Sequence, residues 1–474
     1  MMGLEKYLLM RHEFVLTLIT LIILIAELYV KEENGRKLRP FSIILFFIAT
    51  VIGFLPLETG TLFGGMYQTN GIIVIMKNIL NIGVLIVLIQ SYTWLGKEEN
   101  KIKVAEFFMI MLSTLIGMNF MISSGDFLMF YIGLELASIP IASLAAYERY
   151  KSKSAEAGIK FILSSALSSG ILLYGISMIY GTTGSIYFSE VSQAFTGSNL
   201  QALALIFFFA GMAFKISIVP FHLWTADVYE GSPVNVTSYL SVISKGAAVF
   251  ILVIVLYTVF QTVAVMWQDV LYITSILTMT VGNLFAIRQK NLKRFLAFSS
   301  ISQAGFIFMG MIGGNKLGMT SVVYFMLVYI FSNLGAFGVV SAISNKTGKE
   351  NMSDYDGLYL TNPNLSLLMM LSLFSLAGIP PVAGFFGKFF LFTAAAEQGF
   401  YILVLVASLN TIISLYYYLL VVKAMFINKS DNPIQRFKSD GMTRLGLMIC
   451  TLGIFFTGFF SIIFEYIRSF SFGI

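Results

Sequence analysis

The stretch FAGMAFKISIVPFHLW, residues 209–224, decides the fold of this 474-residue chain. It is apolar and of membrane length, yet it contains Lys215, Pro220 and His222, one of only two histidines. A lysine at the centre of a bilayer costs about 2.5–3.5 kcal/mol on insertion scales, and a proline removes a backbone hydrogen bond that lipid cannot replace. The stretch therefore predicts a broken helix that is enclosed by protein and lines a polar interior.

The composition of the whole chain is that of a membrane protein. Hydrophobic residues make up 57% and charged residues 11%, whereas soluble globular proteins are about 25% charged. The net charge of +6 is therefore a topology signal and does not indicate nucleic-acid binding. One cysteine and two histidines exclude a disulfide within the chain and predict no metal site.

Apolar segments of membrane length follow one another along the chain and predict an all-α, polytopic bundle of about fourteen transmembrane helices. We number them spans 1–14. They fall at residues 13–30, 40–57, 72–95, 104–122, 126–147, 155–180, 199–224, 233–260, 267–287, 294–314, 319–343, 362–396, 400–428 and 443–467.

Lysines and arginines are distributed unevenly between the two sides of the bundle. Of the 30 in the chain, 20 lie in loops that follow odd-numbered spans, among them Lys31 and Lys101, and four lie on the opposite side. By the positive-inside rule, the lysine-rich loops are cytoplasmic and both termini are non-cytoplasmic. The other six lie inside spans and are all lysines: Lys77, Lys160, Lys215, Lys245, Lys388 and Lys423.

The depth of these lysines separates relay candidates from residues near the surface. Lys245 is about 18 Å into span 8, and Glu135 is about 14 Å into span 5. Lys215 and Lys388 are similarly central. A desolvated lysine can lose its proton and an arginine cannot, so the choice of lysine favours a proton relay. A static pair of Glu135 with one lysine is the alternative, although one acid cannot neutralise three lysines.

Two other lysines have simpler explanations available. Lys160 follows Glu156 by four residues, which is the favourable order for a helical ion pair, so both a local pair and a place in the relay stay open for it. Lys423 lies near the end of span 13 and can extend to the cytoplasmic surface.

A second unusual stretch, LAGIPPVAGFFGKFFLFTAAAE, residues 376–397, predicts that span 12 is also broken. Pro380 and Pro381 interrupt the helix seven residues or more before Lys388, whereas Lys215 precedes Pro220 by five. Spans 7 and 12 are five apart and so run in opposite directions. Matched broken helices in two halves indicate a transport site. We therefore predict two inverted five-helix repeats, spans 4–8 (residues 104–260) and 9–13 (261–428), flanked by residues 1–103 and 429–474.

Other polar residues in these spans have both a structural and a functional reading. His222 lies just past the break of span 7, and it is either a packing residue or a relay member, since histidine titrates near neutral pH. Gln303, in SSISQAG of span 10, can hold water between Lys245 and Lys388. Asp227 and Glu230 lie in a loop without positive charge and are either solvated or part of the path.

Several motifs together resemble a known family. GLELASIP around Glu135, FKISIVPFHLWTADVYEGSPVNVTSYLSVISKGA over spans 7–8, LKRFLAFSSISQAGF over span 10 and LAGIPPVAGFFGKFF in span 12 are similar to the antiporter-like membrane subunits of respiratory complex I. The resemblance covers about residues 100–425. Within the family, a lysine at 388 and a length of fourteen spans fit one particular branch.

The resemblance implies a proton channel that holds no redox cofactor. Glu135 and Lys215 would form a first pair, Lys245 a connection, and Lys388 the way to the exit. Members often have histidine at the position of Gln303, so a titratable link is missing here. The implied partners are sister antiporter-like subunits and small membrane subunits in a bacterial plasma (inner) membrane. NADH, FMN, iron–sulfur clusters and quinone would be bound by other subunits.

Four other functions compete with this one. A Mrp-type Na⁺/H⁺ antiporter subunit or the membrane part of an energy-converting hydrogenase would share the fold, and co-eluting subunits would distinguish them. A membrane-embedded enzyme such as an acyltransferase would need a nucleophile or an acid–base pair at an interface. The histidines, His12 and His222, are the only candidates for that role. A purely structural scaffold would leave the central lysines unexplained.

Overall fold

The computed structural model describes residues 6–30, 32–56, 58–100 and 103–474, and almost all of this part is helical. Lys31 and Lys101, two of the charges counted for topology, lie outside the described residues. The α-helices are α1 (Arg11–Tyr29), α2 (Leu38–Gly53), α3 (Gly71–Leu95), α4 (Val104–Ile122), α5 (Phe127–Ala145), α6 (Ser152–Thr183), α7 (Phe188–Ala194), α8 (Asn199–Ile216), α9 (Leu223–Gly231), α10 (Val234–Tyr239), α11 (Lys245–Thr258), α12 (Ala264–Ala286), α13 (Leu292–Ile312), α14 (Lys316–Thr347), α15 (Leu358–Thr361), α16 (Pro363–Ala377), α17 (Ala383–Glu397), α18 (Tyr401–Phe426), α19 (Gly441–Phe459) and α20 (Ile462–Phe470).

The predicted spans coincide with these helices. Within the described ranges, twelve helical segments are long and apolar enough to cross a membrane, which confirms the polytopic all-α fold. Of the two other predicted spans, one is α2, with 16 residues, and the other is divided between α16 and α17, with 15 residues each. The total of fourteen crossings, the domain boundaries and the inverted repeats stay predictions.

Polar residues fix where several long helices begin. The first N–H groups of a helix have no intrahelical acceptor, and in a membrane protein they need one from a side chain. Asp126 caps α5 by accepting from the Met129 N–H at 2.7 Å. Asn70, Asn315 and Asp440 cap α3, α14 and α19 in the same way. These starts therefore follow directly from the sequence.

The hydropathy pattern missed a hairpin and misjudged one helix end. The loop between α2 and α3 contains two short antiparallel strands, β1 (Gly60–Leu62) and β2 (Tyr67–Thr69). Span 14, predicted to reach residue 467, is wrong at its end, because α19 stops at Phe459 and α20 begins separately at Ile462. The side chains of Glu465 and Arg468 on α20 are exposed, so α20 is a short amphipathic helix. The mean hydropathy over the predicted span did not reveal its polar side.

Both predicted helix breaks are present. After α8, Ser217 adopts a left-handed conformation (φ 68°), and Pro220 lies between α8 and α9. After α16, Gly378 is also left-handed (φ 88°), and Pro380 and Pro381 separate α16 from α17. Each half-helix thus leaves its terminal carbonyl groups free to accept hydrogen bonds from other partners.

A third irregularity was not predicted. Span 8 is continuous in hydropathy, but its residues Leu240–Ser244 form a π-helical segment between α10 and α11. Lys245 follows immediately. Single-turn π segments are rare in proteins, and those that occur are often found at functional sites.

The centre of the molecule is formed by α13 and α14. All residues in the apolar windows of these two helices are buried, whereas only a third of those in α18 and α19 are. In the first half α4 packs on α5 and α6 on α8, and in the second half α12 packs on α13 and α14 on α17. The corresponding packing supports the predicted repeats and places α13 and α14 where they contact both halves.

Candidate functional site

Lys215 lies in the last turn of α8, next to the first helix break. Its Nζ donates to the hydroxyl oxygens of Ser138 on α5 at 2.8 Å and Ser165 on α6 at 2.7 Å. Both serines are buried. Two neutral hydroxyl groups therefore hold this ammonium between three helices.

Glu135 faces the same region but does not bond to Lys215. Its Oε1 is buried and has no hydrogen-bond partner in the described structure. Ser138 follows it by three residues and so lies on the same face of α5. The predicted first pair is therefore not a direct ion pair here; the two charges interact electrostatically across the Ser138 hydroxyl.

An aromatic cluster covers the α9 side of Lys215. The Trp224 ring stacks on Phe214 with centroids 5.1 Å apart and contacts Phe161 edge-on at 5.2 Å. The Trp224 Nε1 donates to the Phe214 carbonyl at 3.1 Å, which fixes the indole in place. The three rings pack against one another and form an apolar layer between Lys215 and the surface that carries the lysine-rich loops.

Lys160 belongs to an ion-pair network at that surface. Its Nζ pairs with Glu156 at 2.6 Å, as its spacing predicts, and with Asp227 at 2.7 Å. Arg294 bonds to both Asp227 and Glu230. The Lys160 side chain is 41% exposed, so the structure shows the local ion pair, and a place for Lys160 in the relay stays a prediction.

This network also accounts for the state of Asp227. Partial burial by itself would raise the pKa of the Asp227 carboxyl. Hydrogen bonds from Lys160 and Arg294 outweigh that effect and hold the pKa below its ordinary value. Asp227 therefore stays ionised near neutral pH and forms ion pairs with Lys160 and Arg294, which hold the three side chains together.

Lys245, the first residue of α11, is held by α13. Its Nζ donates to the carbonyl of Ser300 at 2.8 Å and to the Ser300 hydroxyl at 3.0 Å. The hydroxyl groups of Tyr229 and Tyr329 lie near the same serine. Lys245 is 1% exposed. Among the described residues, its ammonium group has polar neighbours but no carboxylate at hydrogen-bond distance.

Gln303 lies one turn further along α13 and reaches the second helix break. Its Nε2 donates to the Leu376 carbonyl at 3.0 Å and to the Tyr418 hydroxyl at 3.2 Å. Its Oε1 is buried without a partner. An acceptor in that position can hold a water molecule, which agrees with the predicted bridging role.

Lys388 follows the second break on α17. Its Nζ donates to the Ala377 carbonyl at 3.1 Å and lies 4.4 Å from the centre of the Phe306 ring. Ala377 is the last residue of α16, and the free carbonyls at a helix C-terminus attract cations. The broken helix thus supplies the negative end that holds the lysine.

One face of α13 connects these groups. Ser300, Gln303 and Phe306 follow each other at intervals of three residues and so share a face. They contact Lys245, the end of α16 and Lys388, respectively. The contacts of Lys245 and Lys388 thus lie along this face of α13 with Gln303 between them, and the bridging role of Gln303 stays a prediction. Lys215 is held instead by α5 and α6.

His222 lies in the first break and is 7% exposed. Its Nδ1 is buried without a hydrogen-bond partner, and the described contacts do not join it to any of the lysines. The described residues contain no cluster of His, Cys, Asp and Glu that could hold a metal ion.

The sequence reasoning missed the hydroxyl groups that hold Lys215 and Lys245, which are those of Ser138, Ser165 and Ser300, and the Tyr418 hydroxyl that accepts from Gln303. A serine in an apolar helix usually bonds to its own backbone, so its presence alone carried little signal. The spacing of polar residues is a better signal for these contacts. Ser138 lies three residues after Glu135, and Ser300 lies three residues before Gln303, so each pair shares one face of its helix. Such a pattern marks polar faces within apolar spans.

The second break depends on Gly384, and replacing it should disturb Lys388. A Cβ atom there would lie 1.6 Å from the Ser375 carbonyl oxygen. We expect Gly384→Ala to force α17 away from α16 and to cost about 1–3 kcal/mol of stability, as for overpacked interiors. Thermal unfolding of the purified membrane complex measures this.

Gly170 on α6 provides the matched control, since a Cβ atom there meets nothing within 4 Å. Gly170→Ala should leave the unfolding temperature unchanged or raise it slightly, because alanine favours a helix. Equal unfolding temperatures for the two variants would contradict the close approach at Gly384.

Known proteins are similar to this chain in sequence and in fold. A family described as "NADH:quinone oxidoreductase/Mrp antiporter, TM" matches residues 124–414. NADH-quinone oxidoreductase subunit N of Phocaeicola vulgatus is 51% identical over 465 residues, which is 98% of either chain. A chain of respiratory complex I from Thermus thermophilus superposes with a TM-score of 0.80 and 26% identity, covering 96% of this chain and 98% of that one. A chain of the Mrp complex from Dietzia sp. shares the fold, with a TM-score of 0.85, 19% identity, and coverage of 98% and 97%.

Proposed function

Since this chain belongs to the NADH:quinone oxidoreductase/Mrp antiporter family, we propose that it is the proton-translocating membrane subunit of a NADH–quinone oxidoreductase. The branch expected from Lys388 and the chain length is confirmed by relatives that are subunits N. The observation that carries the proposal is the arrangement of three lysines at helix irregularities, with Lys245 and Lys388 buried and Lys215 partly buried. Within the part of the chain that the structure describes, each is held by neutral oxygen atoms and none by a direct carboxylate partner.

Neutral partners make a lysine a reversible proton carrier. A lysine fixed in a tight ion pair would keep its proton, since an opposite charge favours the charged form. A lysine held by hydroxyls and carbonyls can lose the proton when its surroundings become less polar or a nearby charge moves. Glu135 is the nearby charge for Lys215, so weakening its influence favours the neutral amine and releases the proton.

The released proton then moves along the face of α13. It passes through water to Lys245, whose Nζ contacts Ser300, and through Gln303 and the Tyr418 hydroxyl toward Lys388. The Gln303 amide does not titrate, so water held at its Oε1 carries the proton across that position. The energy comes from quinone reduction elsewhere in the complex.

This function defines the surroundings of the chain. The lysine-rich loops face the cytoplasm of a bacterium and both termini face the other side of its plasma membrane. Sister antiporter-like subunits and small membrane subunits are the partners in the bilayer. NADH, FMN, iron–sulfur clusters and quinone are bound by other subunits.

The second candidate is a subunit of a Mrp-type antiporter, which the fold likeness to the Mrp complex supports. A membrane hydrogenase subunit would share the fold as well. The relative at 51% identity over nearly the full chain favours the oxidoreductase. The subunits that co-purify with the chain distinguish the three.

The proposal is tested by removing the first charged pair. We expect Lys215→Ala and Glu135→Ala, each in the assembled complex, to abolish proton translocation coupled to NADH oxidation. Proton uptake by proteoliposomes, measured per NADH oxidised, gives the result. If both variants pumped with the parent stoichiometry, the relay would be wrong.

Lys423 supplies the matched control for a lost lysine. It lies in the last turn of α18 and is exposed. Lys423→Ala should leave the proton stoichiometry of the complex unchanged. A loss equal to that of Lys215→Ala would show that the effect does not depend on a buried position.

A further inference from the structure

A polar cavity of about 420 Å³ opens on the lysine-rich face, between the two halves of the chain. Lys97, Lys153 and Lys293 line it, and its lining includes the buried polar residues Asn235 and Ser341. The Ser341 hydroxyl donates to Asn235 Oδ1 at 2.8 Å. The cavity therefore ends on a buried pair of polar side chains that belong to α10 and α14.

Polar residues continue inward from this pair along one face of span 8. Asn235, Ser238 and Ser241 recur at intervals of three residues, and Lys245 follows four residues later, across the π segment. Such spacing places them on one side of the helix. All of them are at most 2% exposed, so the row is enclosed by protein.

The facing side of α14 carries a second row. Asn345, Ser341, Asn333 and Tyr329 lie at multiples of four residues and share a helix face. Ser241 donates to Asn333 Oδ1 at 3.3 Å, and Asn333 Nδ2 donates to the Tyr329 hydroxyl at 2.5 Å. The two rows therefore meet at their inner end.

The inner end of this polar file is Lys245. The Tyr329 hydroxyl lies near Ser300, whose hydroxyl and carbonyl accept from Lys245 Nζ. The residues from the cavity floor to this lysine thus form a nearly continuous polar file. Only the turn of α14 that carries Phe337, opposite Ser238, interrupts it with an apolar side chain.

Lys215 has no comparable access from the same face. The rings of Phe161, Trp224 and Phe214 and the ion pairs of Asp227 with Lys160 and Arg294 cover that side of it. The lysine-rich face is thus closed above Lys215 and open toward Lys245.

We infer that protons from the cytoplasm reach the relay at Lys245, through the file that starts at Asn235 and Ser341, and not through Lys215. This rests on the proposed function. A proton from cytoplasmic water crosses the file and binds the neutral amine of Lys245, after that amine has passed its previous proton toward Lys388. Lys215 exchanges its proton with Lys245, as in the proposed relay, and is reloaded from Lys245 and not from the cytoplasm. Phe337 is the position at which water in the polar file is connected or interrupted.

Accessibility of introduced thiols tests the route. The native Cys450 is buried, so it contributes little background. Ser341→Cys and Asn333→Cys in the assembled complex should react with a membrane-impermeant methanethiosulfonate reagent added on the cytoplasmic side. The neighbours Val340→Cys and Leu334→Cys have the same depth on another face. We expect them to react at least about tenfold more slowly, since a thiol must be accessible to react.

A functional comparison separates this inference from the proposed function. Asn333→Leu keeps the side-chain volume and removes the polar link, so the protons translocated per NADH should fall as far as in Lys245→Ala. If Lys245→Ala still pumps normally, the proposed function fails. If Lys245→Ala stops pumping while Asn333→Leu pumps normally and Asn333→Cys stays unlabelled, only the route through α14 is overturned.

Discussion

Replacing Lys77 by alanine should lower the free energy of unfolding by about 3–5 kcal/mol, because it leaves a buried carboxylate without its cation. Lys77 Nζ lies 2.5 Å from Glu13 Oε1, and the two side chains are 1% and 2% exposed. The Tyr67 hydroxyl accepts from Lys77 at 3.0 Å and donates to Glu13 at 3.1 Å. The cluster joins α1, the hairpin and α3, so its loss loosens three elements together.

A double substitution distinguishes charge imbalance from lost packing. Lys77→Met with Glu13→Leu removes both charges and keeps most of the side-chain volume. Replacing a buried ion pair by apolar residues is often neutral or stabilising, so the double variant should recover most of the lost stability. The unfolding temperature of the purified complex in detergent measures both. A parent-like unfolding temperature for Lys77→Ala would show that the pair contributes nothing.

Lys77 also shows where reading the sequence stops. Its place inside span 3 was evident, but its partner Glu13 is 64 residues away at the start of span 1. Tyr67, which bonds to both side chains, lies in a hairpin that hydropathy does not detect. Long-range partners are fixed by tertiary packing, and periodicity within one helix carries no information about them.

The helix breaks were predictable for the opposite reason. Pro220, Pro380 and Pro381 act on their own backbone, so their effect can be read locally. The same holds for the depth of Lys215 and Lys388, which follows from counting residues. The hydroxyl groups that hold Lys215 come from other helices, so the direct Glu135–Lys215 pair expected from resemblance is replaced here by contacts to Ser138 and Ser165.

Replacing Lys388 by arginine should stop proton translocation as completely as replacing it by alanine, although arginine keeps the positive charge. A guanidinium group effectively never loses its proton in proteins, and at its ordinary acidity only roughly one in a million is neutral at pH 7. A relay that needs the neutral amine at this position therefore has no carrier.

The surroundings of Lys388 accept a guanidinium group, which makes the comparison informative. Arginine can donate to the Ala377 carbonyl and lie over the Phe306 ring, as the lysine does. Gly378 beside the lysine side chain has no Cβ atom to obstruct a larger group, since an added Cβ would lie 3.1 Å from Lys388 Cδ. The electrostatic role of the residue is thus retained while proton release is lost.

A static role and a relay role consequently predict opposite results. If Lys388 only neutralises the end of α16, Lys388→Arg should pump with the parent stoichiometry and Lys388→Ala should not. If Lys388 carries the proton, both variants should lose translocation, while Lys423→Arg, at the exposed end of α18, retains it. The partner subunits must co-purify in equal amounts with Lys388→Arg, Lys388→Ala and Lys423→Arg. The protons translocated per NADH then report on the relay and not on assembly of the complex.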